Sequence, residues 1–333
     1  MKAVAPAKLI LSGEHAVVYG APALAMAIDR NAQTVLHTQG RGENVSIRLP
    51  DLQQTGSYTL AALREFKRRV GKNYRLFLHG ELGIRDVLLK PIDLFQFTFI
   101  IVLDGLHLKL VDQLDMVTQS NIPIGCGLGS SAATALSSLR AVGHYFRVEF
   151  RPDWYYEYSL EAEKLQHGYP SGVDSYISLH GGCALFQQGQ AESVPLPSQP
   201  IRLVNTGTPE TTTGECVDAV REHYENSAIW SEFRDVTWLM RDAIVNADDE
   251  ELLAATRENH RLLDRIGVVP VRVSNFIADV EARGGAAKVC GAGSVRGETG
   301  GMVMVQSEEP IDDLCASYGF QAMTVRGDPL GAR

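Results

Sequence analysis

The stretch PIGCGLGSSAAT, residues 123–134, places three glycines at alternate positions directly before a run that favours a helix. Glycine lets a backbone approach a ligand closely and adopt positive φ. The helix that follows would add unpaired N–H groups and a partial positive charge at its first turn. This order of residues predicts a loop that binds phosphate oxygens, with a helix from about Ser131 to Tyr145.

The same stretch has a plainer interpretation. Glycine-rich turns are common, and Ser130 or Ser131 could serve only to cap the helix. The letters also differ from two nucleotide-binding patterns, since neither GxxxxGK[ST] nor GxGxxG matches GCGLGSS. Taken alone, the loop leaves a phosphate site and a capped turn equally open.

Composition narrows the class of protein. The chain has 333 residues, 45% of them hydrophobic, and a formal charge of −9. This length suggests two domains, and the acidic balance argues against nucleic acid or an anionic membrane as a partner. Five scattered cysteines without a CxxC pair favour a reducing, cytoplasmic location over a disulfide framework or a zinc site. The N-terminus reaches polar residues too early for a secretory signal.

Strand-like and helix-like segments mix without a regular βαβ order, which predicts an α+β fold. The helix pattern at 59–71 ends at Gly71, and residues 76–82 are predicted as a strand. The apolar run FQFTFIIVLDGLHLKLV, residues 95–111, is too short to span a bilayer and is predicted as a buried strand. Residues 214–266 are predicted to be mainly helical.

A polar, proline-containing segment near residues 186–200 predicts a domain boundary. It would divide the chain into residues 1–190 and 191–333. The predicted tail contains a helix, two strands around a second glycine cluster, another helix and a last strand.

Four segments, in the order of the chain, resemble the motifs of the GHMP kinases. The glycine stretch is similar to the second motif of that family, P-x-G-x-G-L-G-S-S-A-A. The other three segments resemble the members that phosphorylate mevalonate: APAKLILSGEHAVVYG (5–20), HGYPSGVD (167–174) and RENHRLLDRIGVV (257–269). The chain is identified as a member of the family on these four motifs together.

The resemblance implies ATP-dependent phosphorylation of the 5-hydroxyl of mevalonate, an early step of isoprenoid biosynthesis, with ATP and Mg²⁺ as cofactors. It also implies an N-terminal domain like ribosomal protein S5 domain 2, a ferredoxin-like C-terminal domain, and an active site between them. A small molecule, rather than nucleic acid or a membrane, is the expected partner, and a homodimer is allowed.

The resemblance assigns Asp174 and Lys8 as catalytic residues. The aspartate would accept or orient the proton of the hydroxyl, and a nearby lysine would keep the carboxylate ionised. Each residue has an alternative role. An aspartate just after a glycine can be a plain helix cap, and a lone lysine in a strand normally lies on a solvated face.

The same comparison assigns residues to ATP and to the metal. The expected ATP-binding residues belong to the glycine loop and the start of the helix: Gly125, Gly127, Leu128, Gly129, Ser130, Ser131 and Ala132. Ser131 and Glu163 are the implied Mg²⁺ ligands, which suits an ion that binds few protein oxygens beside phosphate and water. Glu163 and its neighbour Glu161 could instead be ordinary exposed charges on a helix.

Two residues are assigned to the acceptor substrate. The resemblance puts His15, in the sequence GEH, near the carboxylate end of the substrate, and it matches Thr213 to a threonine near the substrate. His15 could equally be a structural histidine that bonds the backbone. Clustered threonines such as these are also common in turns.

The third motif of the family, K-x-T-G-A-G-G-G-G-C, is altered here to KVCGAGSVRGETGG, residues 288–301 and hereafter the third loop. Cys290 replaces the threonine, while Ser294, Val295 and Arg296 occupy the glycine run. Because a β-branched valine does not easily take positive φ, the packing of this loop is an open question at this stage.

Two other functions compete with the one above. The first is that of another GHMP small-molecule kinase, such as one acting on phosphomevalonate. The second is a non-catalytic ligand-binding relative of the same fold, which the altered third loop favours and the presence of Lys8 and Asp174 disfavours.

Overall fold

Two β-sheets organise the chain, which a computed structural model describes over residues 1–198 and 200–333. In this part of the chain the first sheet contains β1 Lys2–Ser12, β2 Ala23–Arg41, β3 Asn44–Leu49, β4 Gln54–Thr59, β5 Asp112–Ser120, β6 Cys183–Gln187 and β7 Gln190–Val194. The second sheet contains β8 Ile201–Asn205, β9 Ala286–Val289, β10 Met302–Gln306 and β11 Gln321–Val325.

The helices divide between the two sheets in the same order. Those up to residue 180 are α1 Leu60–Leu78, α2 Pro91–Gly105, α3 Ser130–Phe146, α4 Pro152–His167 and α5 Val173–His180. The later ones are α6 Thr213–Tyr224, α7 Ile229–Asn246, α8 Asp249–Arg265, α9 Val271–Ala282 and α10 Asp312–Tyr318. Short 3₁₀ segments occur at Ala16–Tyr19, Pro50–Leu52 and Ile84–Asp86. The predicted α+β class is confirmed.

β2 is the longest strand of the first sheet and pairs antiparallel with β1, β5 and β6. β3 joins β5 in the parallel sense. β1 is buried on both faces, because Leu9 and Leu11 belong to a core with α3 while Ile10 packs with Ile177 of α5 on the other side. A strand enclosed in this way can hold a buried charged residue only where a partner meets it.

The second sheet has the strand order β11-β8-β10-β9, and all its pairs are antiparallel. Numbered from its first strand, this is the order 4-1-3-2, with helices connecting the first strand to the second and the third to the fourth. That arrangement is the split βαβ of a ferredoxin-like unit, as the family resemblance implies. Its core contains Phe276 and Ile277 of α9 and Leu314 of α10.

The apolar run at 95–111 is not a strand, and the prediction was wrong. Most of it lies in α2, which begins at Pro91 and is capped by the Asp93 carboxylate accepting from the backbone N–H groups of Leu89 and Lys90. Every residue from 92 to 103 is buried, so the sequence has no polar face from which a helical period could be read. In the part of the chain that the structure describes, no helix combines the length and apolar character needed to cross a bilayer.

Helix α1 also runs further than predicted. It passes through Gly71 to Leu78, so the strand predicted at 76–82 is absent. The apolar spacing set by Phe66 and Val70 continues at Tyr74 and Phe77, and this packing outweighs the cost of about 1 kcal/mol for a glycine inside a helix. The other predicted helices, including the one after the glycine loop, are confirmed.

The predicted boundary near 186–200 falls where the chain changes sheets. The first sheet ends at Val194 and the second begins at Ile201, with Gln199 outside the described residues. The C-terminal segment then returns to the first sheet, where the backbone N–H of Arg333 donates to Val4 and that of Asp328 donates to Ala27. The two-domain division itself stays a prediction.

Candidate active site

Lys8 and Asp174 form an ion pair at the junction of β1 and α5. The lysine Nζ lies 3.1 Å from Asp174 Oδ1. The lysine side chain is 4% exposed and the aspartate side chain 27%, so the pair is closed on the lysine side and open to solvent on the carboxylate side. A carboxylate with this access can meet a ligand, while the buried cation favours its ionised form.

The glycine loop, residues 123–131, lies directly on β1 beside this pair. The backbone N–H of Lys8 donates to the carbonyl of Leu128, and Lys8 Nζ donates to the carbonyl of Gly127, both at 3.1 Å. Gly129 adopts a φ of 67°, and a β-carbon there would lie 2.7 Å from Lys8 Cγ. Glycine is therefore required at this position for both its backbone conformation and its contact with the lysine.

The start of α3 leaves its first N–H groups free of side-chain caps. The N-cap residue is Gly129, which makes no side-chain hydrogen bond, and neither Ser130 nor Ser131 caps the helix. The capped-turn interpretation of the serines is therefore wrong. Uncapped N–H groups at a helix start are donors for an anion.

Ser131 instead points to α4. Its hydroxyl donates to Glu163 Oε1 at 2.6 Å, and Nε2 of His167 lies 3.3 Å from the same hydroxyl oxygen. Burial raises the pKa of Glu163, and the charge of Asp174 acts in the same direction, while His167 and the hydrogen bond from Ser131 oppose it. Glu163 is thus a buried acid beside a hydroxyl, whereas Glu161 is exposed and pairs with Lys164.

Asp174 is not a helix cap. Helix α5 begins at Val173, and its N-cap is Gly172, with a φ of 90° that a non-glycine residue rarely adopts. The aspartate occupies the first turn of the helix, and its side chain turns to Lys8. The cap interpretation of this residue fails, and the charge pair remains.

The third loop packs against the glycine loop despite its altered letters. A β-carbon at Gly291 would lie 2.8 Å from the Cα of Gly127. Val295 is not among the residues with positive φ in the described chain, because Gly291, Gly293 and Gly297 take those positions. The valine therefore costs no backbone strain, and the open question about this loop is resolved.

The two substrate candidates lie in different surroundings. His15 is buried, and its Nε2 donates to the carbonyl of Ala292 in the third loop at 3.0 Å. Burial lowers the pKa of His15, so the ring is neutral at pH 7. Thr213 is exposed as the first residue of α6, and the adjacent Thr212, rather than Thr213, forms the capping box with Glu215. Contact of Thr213 with the acceptor stays a prediction.

Sequence reasoning gave no role to a second ion pair close to these residues. Lys288 of β9 pairs with Glu14, and both side chains are fully buried. Asn259 of α8 donates to the other oxygen of Glu14 at 3.3 Å. The available signal was a lysine inside the short buried strand AAKV, where a charge requires a partner.

Comparison with known proteins agrees with this geometry. Residues 97–182 match the model of the GHMP kinases N terminal domain, a range that includes the glycine loop, Glu163 and Asp174. The chain is 32% identical over 309 residues to a mevalonate kinase of Thermococcus sibiricus, covering 87% of this chain and 86% of that protein. A mevalonate kinase of Pyrococcus furiosus is 32% identical over 306 residues, with the same coverage of both.

Solved structures share the fold over nearly the whole chain. The mevalonate kinase of Methanococcus jannaschii superposes with a TM-score of 0.80 at 23% identity, covering 98% of each chain. A second mevalonate kinase structure has a TM-score of 0.79 at 22% identity, covering 98% of this chain and 99% of the other. At that identity the superpositions establish the fold alone, and the sequence relatives establish the family. This chain therefore belongs to the mevalonate kinase family of the GHMP kinases.

Proposed function

We propose that Lys8, Asp174, Ser131 and Glu163 are the groups with which this chain transfers the γ-phosphoryl group of ATP to the 5-hydroxyl of mevalonate. As a member of its family, the chain is an ATP-dependent kinase for mevalonate in isoprenoid biosynthesis. The observation that carries the residue assignment is the Lys8–Asp174 pair directly beside the glycine loop.

Asp174 has the position of the group that receives the hydroxyl proton. Its carboxylate is partly open to solvent, and the 3.1 Å contact with Lys8 favours the ionised form that can accept a proton. The same lysine charge stabilises the alkoxide that forms as the proton leaves. Lys8 is held for this task by its bond to the Gly127 carbonyl.

The glycine loop and the start of α3 would hold the phosphates of ATP. Gly125, Gly127 and Gly129 all have positive φ, and the first N–H groups of the helix lack side-chain caps. Convergent N–H groups and a helix N-terminus are what a phosphate needs. Leu128, Ser130 and Ala132 contribute backbone to the same surface, in keeping with the assignment from the motif.

The donor set formed by Ser131 and Glu163 fits Mg²⁺. A hydroxyl oxygen and a carboxylate oxygen are hard ligands, and Mg²⁺ typically binds one or two such groups together with phosphates and water. Among residues 1–198 and 200–333, no group of three or more His, Cys, Asp or Glu side chains is arranged to hold a metal, which agrees with a site that ATP completes. When bound, the ion would neutralise charge on the phosphate oxygens.

The acceptor would lie between Asp174 and the turn that carries His15. A neutral imidazole held by the Ala292 carbonyl can contact the substrate without adding a charge. We retain Thr213 as a second contact. We also retain a division into two domains, a homodimer and a cytoplasmic location, to which five buried free cysteines are suited.

The direct test measures ATP consumption with mevalonate, phosphomevalonate, homoserine and galactose as separate acceptors. Turnover that depends on mevalonate, exceeds the other three by at least about 10²-fold in kcat/KM and stops without Mg²⁺ is the expected result. Preference for another acceptor would assign a different GHMP kinase activity. Binding of ATP without turnover on any acceptor would favour the non-catalytic alternative.

A further inference from the structure

A fully buried ion pair joins the two sheets behind the candidate active site. Lys288 Nζ contacts Glu14 Oε1 and also donates to the carbonyl of Ile10 at 3.2 Å. The second carboxylate oxygen of Glu14 accepts from Asn259 at 3.3 Å. β1 and the turn after it, α8 and β9 are therefore tied together through one carboxylate and one ammonium group.

The pair is connected to residues assigned to the reaction at both ends. Ile10 lies two positions after Lys8 in β1, and Glu14 directly precedes His15. On the other side, Ala292 of the third loop accepts from His15 Nε2. A displacement of Glu14 would therefore move the turn that carries His15 and the end of the strand that carries Lys8.

The turn has little other freedom to compensate. Gly13 has a φ of 90°, and a β-carbon there would lie 2.4 Å from the carbonyl oxygen of Pro22. The turn is thus closed on the side of β2 by backbone and held on the side of β9 by the charge pair. Small changes in the position of β9 are transmitted to it rather than absorbed.

Stability alone does not account for such a pair. Burying two charges carries a desolvation penalty that their attraction often only offsets, and replacing both with apolar groups of similar size is often neutral or stabilising. What a charge pair adds is direction, because it has a favourable energy at one relative placement of the two segments. Apolar contacts between the same segments would tolerate a shift.

We infer that Glu14 and Lys288 are positioning residues, which set the placement of His15 and β1 against the third loop and thereby the binding of the acceptor alcohol. This inference rests on the proposed function, because it takes the space beside His15 to be the acceptor site. It assigns the pair no contact with the substrate and no part in proton transfer.

The test is a double-mutant cycle read by both stability and kinetics. Glu14→Gln and Lys288→Met, each alone, leave one buried group without its partner, and each is expected to lower Tm by roughly 5–10 °C. The double variant removes both charges and is expected to recover most of that loss. Its KM for mevalonate is nevertheless expected to stay about tenfold above wild type, with KM for ATP within twofold.

A double variant with wild-type KM for mevalonate and wild-type kcat would overturn the inference and leave the pair a structural one. If the double variant does not fold, Asn259→Ala keeps both charges and removes only the bond to Glu14. A rise of about threefold or more in KM for mevalonate would support the inference, and an unchanged KM would overturn it. Wild-type protein inactive on mevalonate in the same assay would instead overturn the proposed function.

Discussion

Gly127 of the glycine loop packs directly against the backbone of Cys290 in the third loop. A β-carbon at Gly127 would lie 2.8 Å from the Cys290 carbonyl oxygen, closer than real side chains approach a backbone atom. The two loops are therefore in contact with each other, and Cys290 meets Gly127 through its main chain. This explains how a cysteine can replace the threonine of the family motif without disturbing the contact.

The contact separates two kinds of glycine in the loop. Gly127 and Gly125 both have positive φ, so alanine at either position costs about 1 kcal/mol in backbone strain. Gly125 has only the Thr208 methyl group near its open side, at 3.7 Å, whereas Gly127 also meets Cys290. We expect Gly127→Ala to displace the loop and lose thermal protection by MgATP, and Gly125→Ala to keep more of it.

Thermal unfolding with and without MgATP measures this difference. A ligand at 100 times its Kd stabilises the native protein by about 2.7 kcal/mol, which sets the wild-type reference. If Gly127→Ala were protected as strongly as wild type, the glycine loop would not be the phosphate site.

Glu163 and Glu161 lie on the same helix and form a matched pair for the metal. Glu163→Gln removes a buried charge that binds Ser131, while Glu161→Gln removes an exposed one, 55% accessible and paired with Lys164. We expect Glu163→Gln to raise the Mg²⁺ concentration for half-maximal rate by at least about tenfold, because a ligand charge is lost. Glu161→Gln is expected to match wild type.

The same substitution is expected to stabilise the protein without ligands. A buried carboxylate whose pKa is raised lowers stability at neutral pH, and glutamine of the same size removes that penalty. Chemical denaturation at pH 7.5 without ATP would measure it. A Mg²⁺ titration of Glu163→Gln indistinguishable from wild type would make Glu163 a structural acid only.

His260 predicts part of the acid sensitivity of the fold. Burial lowers its pKa from 6.5 to about 4, with Asp264 opposing this change and Arg261 and Lys288 adding to it. The folded protein therefore binds this proton less readily than the unfolded chain. Its contribution to stability is complete above pH 6.5 and is lost as pH falls towards 4, an effect of about 3 kcal/mol.

His260→Gln removes this titration and keeps a polar side chain of similar length. The fall in unfolding free energy between pH 7 and pH 4.5 is expected to shrink in this variant. It should not vanish, because His15 is also buried with a lowered pKa. His37→Gln, at an exposed position of β2, is the control that leaves the profile unchanged. Identical acid profiles for His260→Gln and wild type would refute the assignment.

The sequence made the site more predictable than some of the elements around it. Glycines at alternate positions, a serine pair and a helix-forming run are local signals, so the loop and α3 were placed correctly. Helix α2 was missed because residues 92–103 are buried on every side, which removes the period that distinguishes a helix from a strand. Packing, rather than pattern, decides such a segment.

Long-range contacts formed the other limit. The motifs quoted both Glu14 and Lys288, yet nothing in either segment states that they meet, since 274 positions separate them. The cap interpretation of Asp174 was open for the same reason. Only the fold shows that Gly172 is the N-cap of α5 and that the carboxylate turns to Lys8.

The central claim is that Asp174 acts on the reacting hydroxyl, and Asp174→Asn tests it most directly. Asparagine keeps the size of the side chain and removes the proton-accepting charge, so loss should appear in kcat more than in binding. Asp153→Asn is the matched control, because Asp153 is an exposed carboxylate in the first turn of the neighbouring helix α4. It shares the helix position of Asp174 without the contact to Lys8.

The measurement is kcat on mevalonate at saturating MgATP, with the Kd for ATP measured in parallel. We expect Asp174→Asn to fold, to bind ATP within about threefold of wild type and to lose at least about 10²-fold in kcat, while Asp153→Asn stays near wild type. Retention of more than about a tenth of wild-type kcat, a loss below roughly 1.4 kcal/mol, would contradict the account.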